Sequence, residues 1–146
     1  EAQSMWVTLD PATHHILRPS LLPLPEGYLH TARGELFKPL PKITCDTVRP
    51  HHIHPVMYSD LDINNHVNNV RVVELISDAL DLQRQPGFVS SLQVNYTAET
   101  AFGEQLSLLC GTQDGARYVR GEVDGTPHFE ALATLSPMEP QEVTAL

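Results

Sequence analysis

The sequence is short of three things, and each shortage excludes a class of protein. Positive charge is scarce: 9 Lys and Arg stand against 18 Asp and Glu, for a formal net charge of −9. Nucleic-acid binding draws its affinity from cations that neutralise phosphates, so this balance argues against that class. Long apolar runs are missing; nothing approaches the roughly 20 residues that span a bilayer as a helix, and no membrane association is expected. Cysteine is limited to Cys45 and Cys110. One disulfide is conceivable, but a reduced protein is the plainer reading. Two catalytic signatures are also lacking. There is no glycine-rich phosphate loop and no GxSxG elbow, which removes the commonest serine-hydrolase architecture.

What remains is ordinary globular material: 146 residues, 41% hydrophobic and 18% charged, enough for one domain with a real core. The chain opens at Glu1 without methionine and without a charged-then-apolar signal segment. It therefore reads as a trimmed chain or one piece of a longer protein, and its location is not to be read from its first residues.

Eight of the twelve prolines fall before residue 56, so the N-terminal third is punctuated and the rest is regular. "SMWVTLD", the turn "DPAT" and "HHILRP" read as a hairpin over residues 1–18. Residues 19–50 carry many breakers and no sustained period, as expected of a long linker. Residues 51–146 then read as a domain. "HIHPVMYS" is extended, with Pro55 suited to an edge or a bulge. Residues 70–82 place Val72, Val73, Ile76, Ala79 and Leu80 on one stripe at helical spacing, with Asn68 or Asn69 available as cap and "QPG" at 85–87 as stop. Four strands follow, "FVSSLQVNYTAE", "EQLSLLCGTQ", "ARYVRGEV" and "PHFEALATLS", two of their joints being Asp-Gly turns at 114–115 and 124–125. One helix against an antiparallel meander predicts an α+β protein with a curved sheet wrapped around a single helix.

The densest chemistry lies in "SDLDINNHVNN", residues 59–69. Asp60, Asp62 and Asn64 fall at the first, third and fifth places of a calcium loop. The sixth place, normally Gly, is Asn65, and the twelfth, normally Glu, is Arg71, so a calcium loop fails on two counts. Asp60, Asn65, Asn68 and Asn69 individually suit turn and capping roles. Asp62, Asn64 and His66 recur every second residue, and an extended segment would point all three the same way. A carboxylate, an amide and an imidazole beside a helix N-terminus suit acyl-transfer chemistry. "HHIH" at 51–54 offers two histidines, His52 and His54, on one strand face; two ligands make an incomplete metal site, and the stretch reads as surface. His14, His15 and His128 show no partners in the sequence. Trp6, Tyr96 and Phe129 read as core or interface aromatics.

"YSDLDINNHVNNVRVVELISDAL" closely resembles the strand–loop–helix signature of the acyl-acyl carrier protein thioesterases, which have the hot-dog fold. "SMWVTLDPATHHILRP" is similar to the closing strands of the first module in these tandem enzymes, and "LQVNYTAETAFGEQLSL" to the strand that carries a further acidic residue. The resemblance implies a truncated first module at 1–18, an inter-module linker at 19–50 and a catalytic hot-dog domain at 51–146. It implies catalytic roles for Asp62, Asn64, His66 and Glu99. On the residues alone, Glu99 reads as a solvated strand-end carboxylate, and His66 as catalytic or as a cap or packing group.

The implied reaction is attack of water on a fatty-acyl thioester of acyl carrier protein, in fatty acid biosynthesis. Glu99, with His66, would take the proton, most efficiently if burial raised its pKa. Asn64 would place the water or the carbonyl, and Asp62 would orient its neighbours. The N–H groups of Val67, Asn68 and Asn69 would hold the oxyanion. Plant members often carry cysteine directly after the glutamate; this sequence has Thr100, which argues against a cysteine acyl-enzyme. Cys45 and Cys110 offer no replacement, Cys110 being in register with Leu106 and Leu108 as core. No cofactor or metal is implied. The expected partners are acyl carrier protein and a second hot-dog unit, as a homodimer or a tandem pair. The expected location is a bacterial cytoplasm, with a plastid left open. Two alternatives stand beside this: a dimeric hot-dog acyl-CoA thioesterase, and a non-catalytic acyl-binding or assembly module.

Overall fold

The structure, a computed structural model, describes residues 8–10, 13, 15–17, 40 and 42–138. The chain divides into two compact units, Glu1–Pro41 and Lys42–Leu146. In the first, β1 (Thr8–Leu9) and β2 (Ile16–Leu17) pair antiparallel. The Asp10 carboxylate accepts the Thr13 N–H at 2.8 Å between them, so the hairpin forms around the expected turn. Residues 19–39 of the expected linker lie outside the described residues, as do Trp6 and His14. From Lys42 onward the chain belongs to the second unit, whose first strand begins at Val48, so the domain starts before residue 51.

The second unit has one α-helix and a five-stranded antiparallel sheet. Its elements are β3 (Val48–Pro55), α1 (Asn69–Ala79), β4 (Gly87–Tyr96), β5 (Gln105–Gln113), β6 (Ala116–Val123) and β7 (Thr126–Pro137). The spatial order is β3-β5-β6-β7-β4. This corrects the expected sequential meander: β4 pairs with β7 and not with β5. The β5-β6-β7 part is a true meander, and both its turns have Asp and Gly at positive φ (Asp114 49°, Gly115 82°; Asp124 49°, Gly125 78°). That geometry matches the twist of the flanking strands, which is why Asp-Gly signals a tight hairpin. Pro55 ends β3, an edge strand, where a missing N–H breaks no ladder.

Helix α1 is set by its cap and its stripe. The Asn68 side chain accepts the Val70 N–H at 2.8 Å, satisfying one free donor of the first turn. Val72, Leu75, Ile76, Ala79 and Leu80 are buried; Leu75 takes the central place that the sequence stripe gave to Val73. The helix stops at Ala79, before the "QPG" signal, because Asp81 turns left-handed (φ 50°) into a short 3₁₀ turn, Leu82–Arg84. The buried face packs on Leu106 and Leu108 of β5, Val119 of β6, and Phe129, Ala131 and Ala133 of β7. Alternate residues of each strand face the helix, as the pleat requires. Each fully buried Leu, Ile or Phe contributes about 2 kcal/mol. Cys110 packs at the edge of this core, its thiol donating to the Ala79 carbonyl. Among the described residues, no helix is long and apolar enough to cross a membrane.

Candidate active site

The segment from Val56 to Asn69 joins the edge strand to the helix. It is anchored by Asp60, which is only 3% exposed. Its Oδ2 accepts the Met57 N–H at 2.8 Å and meets His54 Nε2 at 2.8 Å; its Oδ1 accepts from Arg71 Nε at 2.8 Å. Burial alone would push this carboxyl up, but the hydrogen bonds from Met57, His54 and Arg71 outweigh it and hold the group below its ordinary 3.8. One buried carboxylate thus ties β3, the connecting turn and α1 together. His54 is therefore not the surface residue expected from "HHIH"; His52 is exposed. No local pattern marks this cluster, because its members come from three elements.

Beyond Asp60 the chain does not run extended. Leu61 and Val67 form an isolated antiparallel bridge, and the Asp62 N–H donates to the His66 carbonyl at 2.9 Å. Asn65 sits at φ 62°, a left-handed conformation that Asn tolerates better than most residues. Residues 62–66 are a closed turn, so the expectation that Asp62, Asn64 and His66 share one side of an extended strand is corrected. What holds the turn is Asp62: its Oδ1 accepts the Asn64 N–H at 2.8 Å and lies 3.5 Å from the His66 N. Both of these bonds go to backbone N–H groups of the turn. The Asn64 residue is exposed.

His66 leaves this turn beside the connection between β4 and β5. It forms an isolated bridge with Ala101, and its Nε2 lies 3.2 Å from Oε2 of Glu99. The structure thus brings His66 and Glu99 together from two separate segments. Glu99 is not buried: its side chain is 50% exposed and that of His66 35%. The stretches of chain near the pair also expose apolar side chains. Ile63 is 97% exposed, and Val70, Tyr96 and Phe102 are exposed as well.

Two of the three expected oxyanion donors are already committed. The Val67 N–H donates to the Thr100 carbonyl and the Asn68 N–H to the Asp60 carbonyl, each at 2.8 Å. The bridges that seat the turn use up these groups. Asn69, the first residue of α1, keeps an N–H that neither bond takes, at the helix end where the dipole favours negative charge.

One cavity lies elsewhere. About 180 Å³, partly open to solvent, is lined near the far end of α1 by Ala79, Leu80, Cys110, Arg117 and Tyr118 among others. An 11-residue helix is about 16 Å long, so this space is remote from His66 and Glu99. Its volume is also below the roughly 300 Å³ at which ligand pockets begin. Tyr118 is tied there to Glu130 by a 2.6 Å hydrogen bond, and burial followed by that carboxylate pushes its hydroxyl well up.

Residues 45–127 match the family model of the acyl-ACP thioesterase C-terminal domain. A search of curated sequences finds no significant match. Among solved structures, an acyl-ACP thioesterase from Bacteroides thetaiotaomicron is 27% identical with a TM-score of 0.56, over 67% of this chain and 43% of that one. This chain thus spans less than half of that enzyme's length. A thioesterase from Thermus thermophilus complexed with coenzyme A and zinc is 19% identical (TM-score 0.53; 62% of this chain, 79% of that one). A hypothetical protein from Staphylococcus aureus in complex with CoA is 17% identical (TM-score 0.53; 58% and 72%). These last two share the fold, and the second unit is a hot-dog domain.

Proposed function

Because this chain belongs to the acyl-ACP thioesterase family through its C-terminal domain, we propose that it supplies the catalytic groups for hydrolysis of fatty-acyl thioesters of acyl carrier protein. The observation that carries the reading is the 3.2 Å contact between His66 Nε2 and Glu99 Oε2. A carboxylate and an imidazole in contact, open on one side, can take a proton from a water placed between them and the substrate. Asp62 holds the turn that presents His66. The exposed Asn64 amide is free to place the water or the carbonyl, and the Asn69 N–H faces the developing oxyanion. Thr100 stands directly after Glu99 and is buried, so water, not a side-chain thiol, is the nucleophile.

The pair is too open to exclude solvent by itself, and Ile63, Val70, Tyr96 and Phe102, close to it along the chain, leave apolar side chains exposed that a partner would cover. We assign that cover to a second hot-dog unit, either another copy or a preceding module, which also completes the acyl pocket.

A second reading is hydrolysis of acyl-CoA. Carrier proteins are acidic and the phosphates of CoA are anionic too, so the net charge of −9 opposes either carrier and does not choose between them. Of the described cations, Arg71, Arg84 and Arg120 are already paired with carboxylates. Matched acyl-ACP and acyl-CoA substrates given to the full-length protein decide between the two. Faster turnover of acyl-ACP supports the first reading and faster turnover of acyl-CoA the second. No turnover of either, with acyl chains still bound, identifies a non-catalytic acyl-binding module.

A further inference from the structure

Glu99 lies in the connection between β4 and β5, outside regular structure, with half of its side chain exposed. Such a segment would ordinarily sample many conformations. Its flanks, however, are bonded to His128 of β7 and to the residue before it. The N–H groups of Thr97 and Ala98 donate to the His128 carbonyl at 2.8 and 3.2 Å, and the Thr97 hydroxyl donates to the Pro127 carbonyl at 2.7 Å. On the other side of Glu99, Thr100 Oγ1 and His128 Nδ1 share a 2.9 Å hydrogen bond.

Thr100 and His128 are 6% and 9% exposed. A buried hydroxyl and a buried ring nitrogen each lose free energy when unpaired, so the bond persists in the folded protein. It also reaches the His66 turn, because the Thr100 carbonyl accepts the Val67 N–H and the next residue, Ala101, bridges His66. His128 therefore stands at the root of both segments that meet in the His66–Glu99 contact.

We propose that the Thr100–His128 hydrogen bond positions the reactive pair, fixing the Glu99 segment on β7 and the His66 turn on the Glu99 segment. Neither residue touches substrate; both act through Glu99 and His66. The proposal rests on the thioesterase reading for its effect on rate, but its geometry can be measured without turnover.

The test uses Thr100→Val, which keeps the shape and removes the hydroxyl, and Thr100→Ser, which keeps it. In the 146-residue chain at fixed pH, the change that Glu99→Gln causes in the NMR resonances of the His66 ring reports the contact. The expected result is a clear change in the wild-type background, less than half of it with T100V, and recovery with T100S. In the full-length enzyme, kcat falls about tenfold with T100V at unchanged KM, because a displaced base acts mainly on the chemical step. If T100V does not fold, His128→Phe removes the ring nitrogens, leaves the backbone acceptor in place, and is read the same way. A full Glu99-dependent change in T100V, or none in the wild type, overturns the proposal. Absence of hydrolysis by the wild-type enzyme instead overturns the thioesterase reading, while the NMR comparison still decides the positioning role.

Discussion

Asp60 and Arg71 are joined by a 2.8 Å hydrogen bond from Nε to Oδ1, inside a site where the carboxylate is almost fully buried and the guanidinium one-third exposed. The same Arg71 also reaches Glu74 at 2.8 Å, but Glu74 is 57% exposed. The two contacts have the same length and different worth. Removing one partner of a buried charged cluster costs about 3 kcal/mol, whereas exposed ion pairs contribute roughly 0.5 kcal/mol. Urea unfolding of Asp60→Ala and Glu74→Ala should show this contrast. Equal effects would mean that Asp60 does not hold the segment.

The acid limit of stability should depend on Asp60. Its folded pKa lies below the ordinary 3.8, so its contribution is complete above that value and disappears as pH falls through the depressed folded value. The stability gap between wild type and Asp60→Asn should therefore be full near pH 7 and narrow below about pH 4. Unfolding free energies measured across pH 2–7 check this; a constant gap contradicts it.

Asn68 caps α1 through Val70. Asn68→Ala should lower stability by about 1 kcal/mol and Asn68→Ser by much less, since serine restores the acceptor. Chemical denaturation of both variants checks the order.

Gly121 faces the ring of Phe129 across β6 and β7, and a Cβ there would run into the ring. Phe129 is itself buried in the core. Gly121→Ala should therefore destabilise by about 1–3 kcal/mol, as overpacking does. A melting temperature equal to wild type would show that the ring can move aside.

Much of the fold was legible because its causes are local. The Asp-Gly turns need positive φ at adjacent residues, α1 needs an apolar stripe, and Asn68 needs only a donor two residues on. What was not legible depends on distant segments. Nothing within β4 says that it lies beside β7, as only the pairing of the whole sheet decides it. The even spacing of Asp62, Asn64 and His66 suggested a strand, but Asn65 can turn left-handed and the Asp62 carboxylate rewards the turn. The Val67 and Asn68 N–H groups looked free only because the residues that bind them, Thr100 and Asp60, are not their neighbours in the helix. His54, read as surface, and His128, read without a partner, differ from those readings for the same reason, each finding its partner in another element.

The proposed hydrolysis requires His66 and Glu99 to act together on one thioester. The most direct measurement is kcat for fatty-acyl thioester hydrolysis by the full-length protein, with Glu99→Gln and His66→Ala made singly and together. Loss of a general base costs about 10²–10⁴-fold, and two groups acting as one unit lose little more together than either alone. The predicted result is a loss of that size in each single variant and nearly the same loss in the double. Wild-type rates in both single variants would contradict it.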